Sequence, residues 1–383
     1  MKTKKILYFL LLLGFLSGCD YLDIVPDNLP TLEMAFNNKS SAERFLFTCY
    51  SFVPEHGKIG TDPGMDVGDE VWYYSDNSAD YSNKTTFWIA KGMQNSNEPL
   101  VDYWNGTQWG KAMFVGIRDC NVFIENIDKV PDLSAYDKET WKAEVKVLKA
   151  FYHFWLMRMY GPIPIMKENI PVSADENEVR VVRDKIDDIV AYTVSLIDES
   201  VDYLPLNIQN EAAEMGRITR PAAKAIKAKI LAFAASPFFN GNLDYANFKN
   251  ADGEPFFNQV YDGEKWTKAA EACLDAIQCA EEAGHGLYEF VNMSSTKLSE
   301  ETVLSLTNRC KVTERWNKEL VWGCGQSGIR DLQVLCQPWL ESNYSSDDRY
   351  HNARNGTFAP TLAVAETFYT KNGVPMDEDR SYD

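Results

Sequence analysis

The chain has 383 residues, and its 56 acidic against 38 basic side chains leave a formal charge of −18. That balance excludes two kinds of partner that require a positive surface, nucleic-acid phosphates and anionic lipid. The length allows one large domain or two ordinary ones, and 13% of the residues are aromatic, ten Trp and nineteen Tyr among them.

Lys2, Lys4 and Lys5 precede an unbroken apolar run from Ile6 to Leu13, followed by Leu16-Ser17-Gly18-Cys19. The run has the length of an export leader and is too short to span a bilayer as a helix. A cysteine directly after two small residues resembles the lipobox of bacterial lipoproteins. The resemblance implies that residues 1–18 are a signal peptide, cleaved before Cys19, with lipid on the Cys19 thiol and on its new amino group. Several acyl chains anchor stably where one is marginal. Asp20 to Pro30 is polar and proline-bearing, so residues 19–30 form a lipidated tether. Residues 31–383 are expected to be a single, mainly helical domain.

Ser40-Ser41-Ala42-Glu43 reads as a capping box, and Ala42, Phe45, Leu46, Cys49 and Phe52 follow at helical spacing up to Pro54. Residues 57–112 show no sustained period and form a long irregular insertion rich in Trp and Tyr. Helical period returns with Phe114, Ile117, Asn121 and Ile124. From about Lys138 to Tyr160 it covers nearly every face, the pattern of a helix buried between layers, until Gly161-Pro162 stops it. Ile186 to Leu204 predicts a helix ended by Pro205. Arg220-Pro221 opens another in which Ala222, Ala225, Ala228 and Ala232 permit close approach of a neighbour. Trp266, Ala269, Ala270, Cys273, Ile277 and Ala280 make one more, closed by Gly284. Successive helix pairs joined by loops suggest stacked helical hairpins of tetratricopeptide type. After Leu287 the pattern loosens, with a short strand expected at Glu319 to Trp322.

Seven cysteines follow Cys19, at 49, 120, 273, 279, 310, 324 and 336, with no C-x-x-C pair. Zinc and thioredoxin-like chemistry therefore lack their usual spacing. Disulfides are permitted outside the cytoplasm, and an odd number leaves at least one thiol unpaired. Cys49, Cys120 and Cys273 fall on apolar helical faces and read as small buried hydrophobes. The four histidines are scattered, and His153, inside the packed helix, reads as a hydrogen-bonded core residue. Gly323 to Gly328 fits G-x-G-x-x-G, but its helical surroundings make a glycine-rich turn the better reading than a dinucleotide site. Asp62, Asp66, Asp69 and Glu70 lack EF-hand spacing and read as solvated acids. No metal or cofactor is expected.

The aromatic insertion is the functional candidate. A sugar ring has an apolar C–H face, which a flat aromatic ring covers, and a rim of hydroxyls, which amide and acid side chains bond. Trp72, Tyr73, Tyr74 and Trp88 supply the rings; stacking on a ligand and pinning the loop to the scaffold are equally open roles for them. Asp69 and Asn77, with Asp76, Asn83 and Asn95 nearby, supply the polar partners. Tyr103, Trp104 and Trp109, beside the Ile117 helix, read as structural pins. Trp339 and Tyr344, in the later irregular region, are further candidates for the same face.

Five stretches together resemble the SusD/RagB-like nutrient-binding lipoproteins of Bacteroidetes outer membranes. They are Cys19-Asp20-Tyr21-Leu22-Asp23 with Pro26; Tyr103-Trp104 with Gly116 to Asn121; Ala143-Glu144 through Lys149-Ala150-Phe151-Tyr152 to Tyr160-Gly161-Pro162-Ile163-Pro164; Gly216-Arg217-Ile218-Thr219 with Ala234 to Asn240; and Asn317-Lys318-Glu319-Leu320-Val321. The resemblance implies a tetratricopeptide-like scaffold, a ligand face made by loops, and a location on the outer membrane, facing outward. It implies capture of oligosaccharide without catalysis and delivery to a SusC-like TonB-dependent transporter. Pro360-Thr361 and Lys371 to Pro375 match the family's mid-to-late region, so the C-terminal part is expected to be incomplete. A peptide-binding relative and a lipid-anchored glycoside hydrolase with two spaced carboxylates are the alternatives.

Overall fold

The computed structural model describes residues 32–55, 64, 67–73, 88–108, 110–324 and 358–381. The leader, Cys19 and the tether lie outside the described residues. The chain is mainly helical, as expected. Among the described residues, the helices of five residues or more are α1 (Lys39–Tyr50), α2 (Met113–Asn126), α3 (Ala135–Tyr160), α4 (Ile186–Asp198), α5 (Arg220–Ala235), α6 (Glu264–Glu282), α7 (Glu300–Thr313) and α8 (Leu362–Glu366). Strands β1 (Val71–Tyr73) and β2 (Phe358–Pro360) form one two-stranded antiparallel sheet. Each of the first six helices packs on its neighbour in sequence, and α3 also touches α1 and α5.

α3 is the axis of the domain. Ser134 caps it by accepting from the Asp137 N–H at 3.0 Å, and Gly161, at φ +69°, ends it. A side-chain-bearing residue is strained at that angle. From Val147 to Met157 every residue is buried, three turns enclosed on all sides. Trp155, Tyr152 and Phe154 are among the largest fully buried side chains. Burial of this kind contributes about 1.5–3 kcal/mol per large apolar side chain, so this helix anchors the core against which the others stack.

Two polar groups are embedded in that core. His153 is fully buried; its Nδ1 lies 2.8 Å from the Lys149 carbonyl, and its Nε2 accepts from the Met166 N–H at 3.2 Å. Because a carbonyl can only accept, the proton sits on Nδ1, and the ring is neutral. Burial pushes its pKa down to about 4. The buried Lys149 donates from Nζ to the Lys167 carbonyl at 2.6 Å. Burial pushes that ammonium down to about 8.

A third buried group closes the domain from another direction. Arg217 forks onto Glu144, Nε to Oε2 at 3.1 Å and Nη2 to Oε1 at 2.6 Å, and reaches Glu214 from Nη1 at 2.5 Å. The Tyr50 hydroxyl donates to Glu144 Oε2 at 2.5 Å and accepts from the Ile218 N–H at 2.9 Å. The end of α1, the middle of α3 and the loop leading into α5 are thereby tied at one carboxylate. Burial works against the Arg217 charge, but Glu144 outweighs it and holds the guanidinium above its usual range. The surface pairs between helices, such as Lys146–Glu199, Lys227–Asp198 and Lys224–Asp275, are each worth at most about 1 kcal/mol.

Several expectations need correction. α1 begins at Lys39 with Asn38 as its cap, not at the Ser40 box. The Asn38 side chain accepts from the Ser41 N–H, and the Lys39 N–H is met by Asp132 Oδ1 at 2.6 Å, so tertiary contact supports an earlier start. The helix expected over 186–204 ends at Asp198; Ser200 turns the chain, and Val201–Tyr203 is a separate 3-10 turn. α7 was not expected. The strand expected at Glu319 is a turn, because Asn317 Oδ1 accepts from the Glu319 N–H at 3.0 Å and its carbonyl from the Leu320 N–H at 3.1 Å. Cys49 and Cys120 are buried as expected, whereas Cys273 is exposed. The side of α6 that meets α5 carries Ala269, Ala276 and Cys279; Trp266, Cys273 and Ile277 face outward.

Arg217→Ala, which strands Glu144 in the core, should cost about 3–5 kcal/mol, whereas a double Glu144→Leu, Arg217→Met variant should be less destabilised than the single one in denaturant unfolding. His153 has a folded pKa below its unfolded value, so its contribution is complete above about pH 6.5 and is lost as pH falls toward 4. The unfolding midpoint should therefore drop between pH 7 and pH 5, and the slope should flatten in His153→Gln; parallel slopes would remove this role.

Candidate functional site

The irregular insertion contains a short strand that pairs with a segment far along the chain. β1 pairs antiparallel with β2, placing Trp72 opposite Ala359. The stitch continues at Thr361, whose N–H donates to the Glu70 carbonyl at 3.1 Å and whose hydroxyl donates to the Asp69 carbonyl at 2.8 Å. The same hydroxyl accepts from the Val364 N–H at 3.4 Å and caps α8. Two irregular regions far apart in the chain thus meet in one ribbon. Trp72, held in the middle of a strand, still exposes 42% of its surface.

Trp88 sits at the start of a turn closed by the Gly92 N–H to the Ile89 carbonyl at 2.8 Å and the Met93 N–H to the Trp88 carbonyl at 3.0 Å. Gly92 takes φ +74° there. Ile89 packs on the core, while the neighbouring Trp88 ring is 41% exposed, with Lys91 Nζ 5.3 Å from its centroid. A cation over an indole face holds its orientation without covering the opposite face.

Residues 102–107 fix the end of the insertion. The Asp102 carboxylate accepts from the Trp104 N–H at 2.8 Å, the Asn105 N–H at 3.0 Å and the Thr107 hydroxyl at 2.6 Å. Burial alone would raise this carboxyl, but the donors, Thr107 first, hold it below the usual range. Tyr103 is buried edge-on against Trp155 at 5.3 Å. Trp104 is clamped by Phe114 at 4.7 Å, Tyr160 at 5.5 Å and the Arg183 guanidinium at 5.2 Å. Both are structural pins, as read from the sequence. Trp104 is held on several sides, whereas Trp72 and Trp88 keep open surface.

Of the expected site residues, Trp72, Trp88 and Asp69 are described with exposed side chains. Tyr73 lies in β1 by its backbone. Tyr74, Asn77, Trp339 and Tyr344 lie outside the described residues, as do Cys19, Asp62, Asp66, Asp76, Asn83 and Trp109. Asn95 serves its own turn, where its Oδ1 accepts from the Asn97 N–H at 3.0 Å and the Glu98 N–H at 2.8 Å. Among the described residues, no group of three or more His, Cys, Asp and Glu side chains is placed to hold a metal ion.

Sequence reading also passed over a cavity of about 350 Å³ between the 207–219 loop and residues 283–323, lined by Trp316, Trp322, His285, Lys318, Asn207 and Arg217 among others. Trp316 takes φ +52°, which costs a non-glycine residue energy. Its ring lies over Gly216, where a Cβ would meet it at 3.6 Å, and Trp322 Nε1 donates to the Gly216 carbonyl at 2.9 Å. The signal was present in Gly216-Arg217 and Trp316, but residues a hundred positions apart give no local pattern.

A family model described as starch-binding, associating with outer membrane, matches residues 20–231, more than half of the chain. The chain belongs to the SusD-like family. It is 22% identical over 240 residues to SusD-like protein P25 of Formosa agariphila, covering 60% of this chain and 43% of that protein. Its fold is similar to the solved structure of BT4246, with a TM-score of 0.70 and 27% identity over 90% of this chain and 59% of that one. The surface glycan-binding protein A of Bacteroides uniformis shares the fold at a TM-score of 0.55 and 17% identity, over 86% of this chain and 61% of that one. The chain therefore spans less than two thirds of these relatives' length. No helix among the described residues is long and apolar enough to cross a membrane.

Asp102→Ala should cost about 2 kcal/mol, because three donors lose a charged acceptor. The folded Asp102 pKa is depressed, so its stabilisation is complete above about pH 4 and is lost as pH falls through the folded value. The variant should show a shallower acid-side loss of stability than the parent in pH-resolved unfolding.

Proposed function

We propose that this chain is a non-catalytic oligosaccharide-binding lipoprotein of the outer-membrane surface, with residues 1–18 as leader, Cys19 as lipid anchor and residues 19–30 as tether. It captures glycan and passes it to a SusC-like TonB-dependent transporter. The observation that carries the binding reading is the pair of half-exposed indoles, Trp72 and Trp88, on backbone that is itself fixed. Trp72 is held by the β1–β2 stitch and Trp88 by a closed turn whose next residue enters the core. Rings pre-positioned in this way lose little freedom on stacking against a sugar face, so less of the contact energy is spent on ordering. Tyr73 and Tyr74 continue the aromatic run, Asp69 and Asn77 can bond hydroxyls, and Trp339 and Tyr344 belong to the irregular region that precedes β2. Membership in a family described as starch-binding and outer-membrane-associated supports the ligand class and the location.

The acidic balance of the chain suits this role, since neutral sugars need no counter-charge. It also keeps the body off an anionic bilayer, leaving attachment to the lipid on Cys19. Titration calorimetry of the soluble body against panels of oligosaccharides and peptides tests the reading. Heat with at least one oligosaccharide is expected, and Trp72→Ala and Trp88→Ala should each weaken it about tenfold, ~1.4 kcal/mol. Heat with peptides only, or release of reducing sugar that one carboxylate substitution abolishes, would overturn it.

A further inference from the structure

We infer that Cys49 and Cys120 are joined by a disulfide in the protein matured outside the cytoplasm, bolting α1 to α2. The two helices run antiparallel, and three successive rungs fix their register. At one end Phe52 lies against Gly116, where even a Cβ would come within 2.8 Å of the Phe52 ring. At the other, Phe45 and Phe123 stack with centroids 6.3 Å apart. Cys49 and Cys120 form the rung between them, both with no exposed surface and both free thiols in this structure. The glycine on one helix draws the backbones together beside the pair, as a bridge spanning about 5.5–6 Å between Cα atoms needs.

The surroundings also oppose two free thiols acting separately. Burial, followed by the neighbouring thiol, holds the Cys120 group well above its usual range, so a thiolate is scarce once the helices have docked. Exchange therefore takes place during folding, while the thiols are still open to solvent. The oxidant is a protein disulfide of the cell envelope. The Cys49 thiolate attacks one donor sulfur, giving a mixed disulfide and releasing the first donor thiolate. The Cys120 thiolate then attacks Cys49 Sγ, the S–S bond forms, and the second donor thiolate leaves. Two electrons pass to the donor, and the two thiol protons end on its sulfurs. The closed loop, roughly 70 residues, is long enough for the cross-link to restrict the unfolded chain substantially. Once α3 covers the pair, with the Tyr152 hydroxyl donating to the Cys49 carbonyl, reductant cannot reach it.

The inference goes beyond glycan capture and needs only passage through an oxidising compartment. The test uses the full chain expressed with its own leader and recovered from the envelope. The protein is denatured in the presence of a maleimide without reductant, digested and mapped by mass spectrometry. A Cys49–Cys120 cross-linked peptide is expected, with Cys273, Cys279, Cys310, Cys324 and Cys336 alkylated. In a second arm, denatured and reduced protein is refolded in a glutathione redox buffer, where the same cross-link should form ahead of any other. Its unfolding midpoint should then fall by roughly 5 °C on reduction. A Cys49→Ala, Cys120→Ala variant should lose that sensitivity. Alkylation of both residues in unreduced envelope protein, or a bridge from either to another cysteine, would overturn the inference. If the leader does not direct export, the refolding arm still decides the pair.

Discussion

One buried carboxylate organises this domain. Glu144 projects from the middle of α3 and receives a forked guanidinium from Arg217 and a hydroxyl from Tyr50. Each group comes from a different part of the chain, so none can shift without leaving another unpaired in the core. A buried ion pair adds little net stability over a hydrophobic replacement, but removing one partner is costly. Its value here is as a register: α1 and the loop entering α5 have one position on α3 that satisfies all three groups. Trp141, 5.6 Å below the guanidinium, further restricts its orientation.

The ligand face inherits its order from that scaffold. Tyr160, the last residue of α3, accepts from the Tyr103 N–H at 2.8 Å and packs on Trp104, so the insertion returns to the core where the central helix ends. Upstream, Trp72 sits in a three-residue ribbon and Trp88 in a closed turn, each with about two fifths of its surface exposed. Enclosed aromatics at residues 103–104 therefore coexist with half-exposed ones at 72 and 88 in the same insertion. This division within one insertion combines a plug in the scaffold with exposed rings.

The scaffold was legible wherever burial imposes a period. α3 was readable because apolar residues recur at helical spacing on nearly all of its faces, and α5 was marked by Arg220-Pro221 at its start. α7 escaped because none of its residues is buried, so no apolar stripe exists to read; Ser299 followed by two glutamates was the available signal. α6 was found, with Ala269 correctly among its apolar positions, but Trp266, Cys273 and Ile277 face outward because close approach to α5 selects the small residues Ala269, Ala276 and Cys279. The ribbon joining Trp72 to Ala359 was not readable, because pairing across such a separation leaves no local trace. The same holds for Glu144 and Arg217, whose motifs pointed to the family but not to each other. Of the rings, the sequence grouped Trp72, Tyr73, Tyr74 and Trp88 with stacking and pinning equally open, and read Tyr103 and Trp104 as structural pins; Trp72 and Trp88 are half-exposed, and Tyr103 is buried.

The central claim is that oligosaccharide stacks on the open indoles of the insertion and leaves the enclosed ones untouched. Fluorine NMR of protein labelled with 5-fluorotryptophan, with Trp72, Trp88, Trp104 and Trp155 assigned by single Trp→Phe variants, observes each ring separately. Titration with a bound oligosaccharide should shift the Trp72 and Trp88 resonances and leave Trp104 and Trp155 in place. Shifts confined to Trp316 and Trp322, with Trp72 and Trp88 unmoved, would contradict the account.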